Sequence, residues 1–405
     1  MTQYFGIIGI IALLGIAYAM SNNRKAIDKS IIAWGLGLQL FFGLFILKTP
    51  IGQPFFSLVD KVVKKLISFA DIGGEFLFQS FVTGQMEIPM INIAFRILPT
   101  IIFFSSLMAV AYHIGIMQFI VKWISKAMQK TLKTSGSETL SVSANIFVGQ
   151  TEAPLMIRPF ISKMTQSELM AVMVGGFATV AGGVMAIYVQ MLSHVPNIAG
   201  HLMAASIMSA PAALVVAKIM YPETEKSETQ GTTNIHVEKL DDNAMEATAR
   251  GATDGLKLAA NVGAMLIAFV ALIAMANYIF GLLGLSMEGI LAFIFKPLAW
   301  SMGIPWEESG TVGMLMGKKI VLTELIAFTD LSAMTSAGEL SHRSSIIASY
   351  ALCGFANFAS VGIQLGGIGG IAPERRKDLA KLSLKAMFGG ALASWLTATV
   401  AGLLL

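Results

Sequence analysis

Residues 145–154 read NIFVGQTEAP, which places a carboxylate, two amides and a hydroxyl beside a glycine and a proline. The chain around this stretch is built for lipid: 55% of its 405 residues are hydrophobic and only 13% are charged, against roughly 25% charged in soluble domains. A charge at bilayer depth costs about 2.5–3.5 kcal/mol and marks a functional site by default. Broken backbone is tolerated at that depth only where protein or a water-filled cavity covers it. The stretch therefore predicts a polar site inside an all-α polytopic membrane protein.

Apolar runs of spanning length predict eight transmembrane helices. The runs are 4–20, 31–48, 91–112, 167–192, 200–219, 255–283, 343–371 and 384–405. We interpret 4–20 as a first span and not as a cleaved signal peptide, since it has no basic region ahead of it. Lysine and arginine cluster at the ends of these runs, and the positive-inside rule then predicts both termini outside. Because the basic residues serve as topology signals, the net charge of +4 does not indicate a nucleic-acid partner.

Four further segments do not fit simple crossings. Residues 54–69 and 287–303 are amphipathic and predict interfacial helices. Residues 136–163 and 308–340 are short apolar stretches interrupted by polar residues, glycine and proline, and each predicts a re-entrant helical hairpin. Cys353 is the single cysteine of the sequence, which excludes an intrachain disulfide and a cysteine metal cluster.

A short motif, G-F-A-x-x-A, follows each predicted hairpin, at 176–181 and at 354–359. One extra crossing, 255–283, lies between the two units and reverses their orientation. We therefore predict inverted repeats, the architecture of secondary transporters with a binding site at the repeat interface. The expected domains are scaffold spans 1–112, a first repeat 113–221, a cytoplasmic linker 222–254, a sixth span with an interfacial helix 255–307, and a second repeat 308–405.

The polar residues of these units predict two adjoining sites. Glu152 and Glu324 lie at opposite hairpin tips, and a carboxylate suits a solute rich in hydroxyl donors. Amides such as Gln150 and Asn357 offer a donor and an acceptor together, which suits a nucleobase edge or a sugar hydroxyl. Ser360 is a further candidate from the partner span. In the alternative interpretation Glu152 reaches water at the headgroups, Glu324 pairs with a neighbouring lysine, Lys318 or Lys319, and Ser360 only packs between helices.

A second set of oxygens suits a cation. Asn145 with the carbonyl of Val148, and Thr179 with the carbonyl of Val180, would supply four oxygen ligands from a hairpin and from the next span. Transporters commonly build Na⁺ sites from such unwound carbonyls and polar side chains. We expect Na⁺ as the coupling ion, with proton coupling through Glu152 or Glu324 as the alternative.

Over essentially its whole length the chain resembles the concentrative nucleoside transporters. The matching motifs are G-Q-T-E-A-P at 149–154, A-x-x-G-L-K-L-A-x-N-V-G-A-M at 252–265, the second hairpin's Glu324, and G-F-A-N-F-A-S at 354–360. The resemblance implies a sodium-coupled nucleoside symporter of the bacterial inner membrane. It further implies a homotrimer whose protomers each move a transport half against a scaffold half, as an elevator does.

The resemblance also assigns roles to residues. The residues implied to face the nucleobase are Gln150, Thr151 and Glu152, and Val184 and Phe355 pack on the base. The residues implied to hold the ribose are Glu324, Asn357 and Ser360. The residues implied to bind Na⁺ are Asn145, Val148, Thr179 and Val180. Proton-coupled relatives tend to have serine at the position of Asn145, which favours sodium here. The pair Gly149-Gln150 resembles that of broadly selective members, so purines stay open beside uridine and other pyrimidines.

One departure from the family concerns the second hairpin, where N-E-F is usual and this chain has Thr323-Glu324-Leu325. Hydrogen bonds supplied by that asparagine are missing, which alters the expected contacts to ribose.

Two other classes of function fit the sequence less well. An intramembrane hydrolase lacks support, since the sequence has neither H-E-x-x-H nor G-x-S-x-G, and a receptor-like protein would have no use for inverted repeats with broken helices.

Overall fold

All of the regular secondary structure in the described part of the chain is helical, as the sequence predicts. A computed structural model describes residues 5–65, 67, 98–231, 241–281 and 284–405, with the side chains of Phe5, Leu98 and 262–279 excluded. Within these ranges no strand is present. Parts of five predicted features lie outside the described residues: residue 4 of the first span, 66 and 68–69 of the first interfacial helix, 91–97 of the third span, 232–240 of the linker and 282–283 of the sixth span.

We number the described helices in chain order. The first six are α1 Phe5–Ala19, α2 Lys29–Lys48, α3 52–65, α4 Leu98–His113, α5 Ile116–Leu132 and α6 Gly136–Ala144. The next five are α7 Arg158–Ile161, α8 Gln166–Ala178, α9 Gly182–Met191, α10 Ile198–Met220 and α11 Ala244–Gly281. The last six are α12 Met287–Ser301, α13 Trp306–Val321, α14 Glu324–Ser336, α15 His342–Leu352, α16 Phe358–Ile371 and α17 Arg376–Leu404. Four described helices are long and apolar enough to cross a membrane, or up to six if each bent pair is one span. The eight predicted crossings therefore stay a prediction.

Helices α10 and α17 form the centre of the core. Almost every residue of α10 is buried, and it packs on α2, α8 and α17. Its many alanines keep the surface shallow, which lets neighbouring backbones approach closely, as small residues do in membrane helix packing. The pair α4 and α11 forms a second extensive contact. The polar breaks described below lie beside the α10 and α17 core, because α8 and α15 also pack on α17.

Helix α5 is an amphipathic helix that the sequence interpretation missed. It meets α4 at a bend of 74° and buries Met117, Val121 and Met128. Its opposite face exposes Lys122, Lys126, Lys130 and two aromatic side chains, Phe119 and Trp123. Such a face is typical of a helix at a membrane surface.

Four breaks interrupt the helices at positions where the sequence has glycine, proline or polar residues. They lie at 145–152 after α6, at 179–181 between α8 and α9, at 322–323 between α13 and α14, and at 353–357 between α15 and α16. Gly354 has φ +131°, a conformation that side chains with a Cβ rarely adopt. The two G-F-A copies also touch, since a Cβ at Gly354 would lie 2.8 Å from the carbonyl oxygen of Phe177.

The start of the predicted linker is docked on the first broken unit. At the first turn of α6, the N–H of Gly136 donates to the carbonyl oxygen of Thr229 (2.9 Å), and that of Ser137 donates to the Thr229 hydroxyl (3.2 Å). The third N–H, of Glu138, donates to the hydroxyl of Ser135 in a capping box. These bonds satisfy the N–H groups that a helix start leaves free. A linker residue thus caps the helix that leads to the polar stretch.

Candidate functional site

The first polar break holds Gln150 and Thr151 against α16. Gln150 is buried, and its Oε1 accepts a hydrogen bond from Nε2 of Gln364 (3.1 Å). The same amide of Gln364 donates to the carbonyl oxygen of Met173 in α8 (3.1 Å). Thr151 lies against Gly367, where an added Cβ would come within 2.5 Å of the threonine methyl. One glutamine of α16 therefore holds the break at 145–152.

The three remaining residues predicted for the nucleobase differ in exposure. Glu152 is exposed, and its carboxylate folds back over Gly149. The Glu152 carboxylate is therefore accessible to a solute or to water, and it makes no ion pair with the described residues. Val184 is buried in α9, one turn before Tyr188, while Phe355 is partly buried in the break before α16.

Glu324 and Asn357 lie together, at the starts of α14 and α16. Asn357 Nδ2 donates to Glu324 Oε2 (2.6 Å), and Asn357 Oδ1 accepts from the N–H of Ser360 (2.8 Å). Asn357 is thus the N-cap of α16, a position that asparagine favours. Tyr188 donates through its hydroxyl to Glu324 Oε1 (2.9 Å). All four side chains are buried, so the carboxylate is held on both oxygens away from bulk water.

Neither neighbouring lysine pairs with Glu324. Lys318 pairs with Asp330 (2.8 Å) and Glu288 (3.4 Å). Lys319 has no exposed surface, and its ammonium donates to the carbonyl oxygen of Ala351 (3.0 Å) and to the hydroxyl of Ser394 (2.9 Å). The alternative interpretation, in which Glu324 serves only as a lysine partner, is therefore wrong.

The four predicted cation ligands lie at two adjoining breaks. The N–H of Gly182, at the start of α9, donates to the carbonyl oxygen of Phe147 (2.9 Å), which ties the break at 179–181 to the break at 145–152. Asn145 is buried and its Nδ2 donates to the carbonyl oxygen of Ser141 (3.1 Å). Among the described groups nothing donates to its Oδ1. Thr179 is buried and its hydroxyl donates to the carbonyl oxygen of Gly175 (2.9 Å), so its oxygen keeps lone pairs for a further partner.

A buried oxygen without a donor costs about 1–3 kcal/mol, and a cation would remove that cost. The residues at this place fit Na⁺, since they offer amide, hydroxyl and carbonyl oxygens and no carboxylate. The carbonyls of Val148 and Val180 belong to the same two breaks, where the backbone is not committed to a regular helix.

Sequence reasoning missed Tyr188 and Gln364 as members of this region, and it named Lys319 only as an alternative pair for Glu324. A signal existed for Gln364, the single strongly polar side chain within the apolar run 358–371. Tyr188 lies one turn after Val184 and so shares its face of α9. No local pattern distinguishes Lys319 from Lys318, because only packing decides which of the two ammonium groups is buried.

A cavity of about 250 Å³ lies between α2, α3, α5 and α10. Apolar side chains alone line it, among them Phe41, Phe45, Phe56 and Met128. It offers no hydrogen bonds to a polar solute, and we do not assign the solute to it.

Three family profiles match the chain. "Na+ dependent nucleoside transporter N-terminus" covers residues 8–81, "Nucleoside recognition" covers 94–195, and "Na+ dependent nucleoside transporter C-terminus" covers 201–402. Together they extend over most of the sequence, including all four breaks.

Similar proteins extend over the whole chain. An uncharacterized transporter of Haemophilus influenzae is 43% identical over 100% of this chain and 98% of its own length. Sodium/nucleoside cotransporter 1 of Rattus norvegicus is 38% identical over 99% of this chain and 64% of its own length. The structure of CNTnw in an inward-facing substrate-bound state superposes with a TM-score of 0.91 at 42% identity, covering 100% of this chain and 98% of that one. The chain belongs to the concentrative nucleoside transporter family and is thus a membrane transporter, not an enzyme.

Proposed function

We propose that this protein is a sodium-coupled symporter that imports nucleosides, with uridine and other pyrimidine nucleosides as the expected substrates and purine nucleosides within its range. The single observation that carries the sodium coupling is the buried Oδ1 of Asn145, which has no donor among the described groups. The rat relative's name couples sodium to nucleosides, which supports the same coupling here.

Na⁺ is coordinated by Asn145 Oδ1, the Thr179 hydroxyl and the carbonyls of Val148 and Val180. Because the bond from Gly182 to Phe147 joins the two breaks, a cation held by both stiffens the tip that carries the substrate residues. The driving force is adequate: about 100 mV is worth about 2.3 kcal/mol per charge, and a tenfold gradient adds about 1.4. One Na⁺ per nucleoside thus supports roughly several hundredfold accumulation.

The nucleoside lies between the two repeats. Gln150, Thr151 and Glu152 face the base, and Val184 and Phe355 pack on it. The ribose hydroxyls donate to Glu324, with Asn357 and Ser360 beside it. This assignment rests on the hydrogen bond that Asn357 donates to Glu324 and on the burial of Gln150 against Gln364. A fixed set of donors and acceptors of this kind can select a polar, uncharged solute.

The substitution of threonine for the family's asparagine before Glu324 leaves the helix start intact. Thr323 is the N-cap of α14, and its hydroxyl accepts from the N–H of Ile326 (3.5 Å). Threonine is an adequate capping residue. The change therefore removes an amide donor from the neighbourhood of Glu324 without removing the cap.

The transport cycle is an elevator-type alternation of access in a homotrimer of the bacterial inner membrane, with eight crossings per protomer and both termini outside. The hairpins 136–163 and 308–340 are re-entrant and belong to two inverted repeats, 113–221 and 308–405. The remaining parts are scaffold spans in 1–112, a cytoplasmic linker at 222–254, and a sixth span with an interfacial helix in 255–307. Contact between the two G-F-A copies at Gly354 and Phe177 supports a pseudo-symmetric repeat interface. CNTnw has been captured in inward-facing, outward-facing and intermediate states.

The test is uptake of radiolabelled uridine into proteoliposomes that contain the purified protein. An inward sodium gradient, equimolar potassium and an imposed pH gradient are compared. We expect accumulation with sodium only, and its loss in Asn145→Ser. Asn23→Ser, which changes an exposed amide, is the matched control and should keep sodium-driven uptake.

Uptake driven by the pH gradient without sodium would establish the alternative, a proton-coupled symporter, and would overturn the cation assignment. Sodium-dependent uptake that survives in Asn145→Ser would move the cation elsewhere. Failure of uridine and of purine nucleosides under every gradient would refute nucleoside import by this chain.

A further inference from the structure

Tyr188 connects the two repeats at the carboxylate of Glu324. It comes from α9, has no exposed surface, and donates its hydroxyl to Glu324 Oε1 at 2.9 Å across 136 positions of sequence. Its ring stacks on Phe328 with ring centroids 4.0 Å apart and an interplanar angle of 11°. Phe328 is one turn beyond Glu324 on α14, so the ring and the hydroxyl of one tyrosine both engage the same helix. The stacked ring fixes where the hydroxyl can point.

The hydrogen bonds of Glu324 fix the plane of its carboxylate. Oε1 accepts from Tyr188 and Oε2 accepts from Asn357 at 2.6 Å. The terminal torsion of a glutamate is otherwise broad, so one donor on a single oxygen leaves the plane free to turn, whereas a donor on each oxygen does not. A carboxylate has about four acceptor positions, and both oxygens therefore keep capacity for a solute.

The residue before Glu324 does not provide this second restraint. The oxygen of Thr323 accepts from the backbone of α14, and threonine carries no amide donor. Tyr188 is consequently the side chain, among the described ones, that holds Oε1.

We propose that Tyr188 is a positioning residue that sets sugar specificity. By holding the Glu324 carboxylate in one plane from the opposite repeat, it presents acceptor positions that match the two neighbouring hydroxyls of ribose. A deoxyribose can fill only one of them. Without the Tyr188 hydroxyl the carboxylate turns to suit a single hydroxyl, and discrimination between the two sugars falls. This inference rests on the proposed role of Glu324 in binding ribose.

The experiment compares Tyr188→Phe with the wild type in proteoliposomes, measuring KM and maximal rate for uridine, 2′-deoxyuridine and 3′-deoxyuridine. Phenylalanine keeps the stack on Phe328 and removes only the hydroxyl. We expect the KM for uridine to rise about tenfold, since a hydrogen bond to a charged group is worth roughly that factor or more. The KM values for the deoxy sugars should rise far less, and the maximal rates should stay near the wild-type values.

Tyr350→Phe is the matched control. Tyr350 is equally buried, and its hydroxyl bonds Nδ1 of His201 at 3.3 Å and not the Glu324 carboxylate. It should leave the ratio of KM values between ribose and deoxyribose unchanged. Phe328→Leu is a second variant that removes the stack and keeps the hydroxyl; it should lower the same ratio in smaller measure, and it replaces Tyr188→Phe if that variant does not fold.

An equal rise of KM for all three sugars in Tyr188→Phe would overturn the proposal, because a purely structural role predicts a uniform loss. An unchanged ratio in both Tyr188→Phe and Phe328→Leu would overturn it as well. These results differ from a failure of the proposed function, in which the wild type imports no nucleoside or Glu324→Gln leaves the KM for uridine unaltered.

Discussion

Replacement of Gln364 by leucine tests whether α16 holds the break at 145–152, which carries the proposed base contacts. The change keeps the size of the side chain and removes an amide whose Nε2 donates to Gln150 Oε1 and to the Met173 carbonyl, both at 3.1 Å. Gln364 has no exposed surface, so water does not replace the lost donor. A typical net hydrogen bond is worth about 0.5–1.5 kcal/mol, and two of them give about 1–3 kcal/mol of lost stability.

Part of that free energy should appear in binding, because Gln150 loses the bond that orients its amide. If about half of it, about 0.5–1.5 kcal/mol, is expressed at the site, the affinity for uridine falls about two- to twelvefold, since 1.4 kcal/mol corresponds to one decade. The assay is calorimetric titration of uridine into the purified protein, accompanied by thermal unfolding without ligand. Maximal uptake rates in proteoliposomes report whether the variant still completes the cycle.

Gln39→Leu is the matched control for this prediction. Gln39 is equally buried and donates one hydrogen bond to the hydroxyl of Thr397 (3.0 Å), between α2 and α17. It should lower the unfolding temperature and leave uridine affinity unchanged. Equal affinity losses in Gln39→Leu and Gln364→Leu, or none in Gln364→Leu, would refute the coupling between α16 and the first tip.

Two further predictions concern the framework around the site. Lys319→Met should destabilise the protein by about 2–4 kcal/mol, because two buried acceptors lose a charged donor. Lys318→Met changes a partly exposed ion pair and should destabilise the protein less. Thermal unfolding of both variants measures the difference. Gly354→Ala should abolish folding or uptake, because its φ is +131° and the new Cβ would lie 2.8 Å from the backbone oxygen of Phe177. Gly338→Ala is the control, since Gly338 has φ +73° and its added Cβ would meet no atom within 4 Å; it should be mildly destabilising. The yield of folded protein and uridine uptake are measured for both variants, and a similar loss in both would contradict the steric argument.

The sequence predicts the helical class and the interruptions within 136–163 and 308–340, because glycine, proline and polar residues act locally. Asn145 and Glu324 stand out for the same reason, as polar groups in apolar surroundings. The partners of these groups could not be predicted in this way. Tyr188 and Glu324 are 136 positions apart, and Gln364 and Gln150 are 214 apart, so their contacts depend on how distant helices pack.

The helix α5 was missed for a different reason. Its lysines at spacings of four residues were interpreted only as topology signals, although the same spacing places them on one helical face. The burial of Lys319 likewise follows from the packing of α13 on α15, which no single segment specifies.

The cap that Thr229 provides for α6 has a consequence for the order in which the chain folds during synthesis. Ser137 and Thr229 are 92 positions apart, so the helix leaves the ribosome long before the residue that completes its first turn. At about 5–20 residues per second, that delay is roughly 5–18 s. During this interval the first polar tip is attached to an unfinished helix start. The first turn of α6 is therefore completed only when Thr229 has been made, and a nascent chain that stops before it would leave two N–H groups of that turn without their partner.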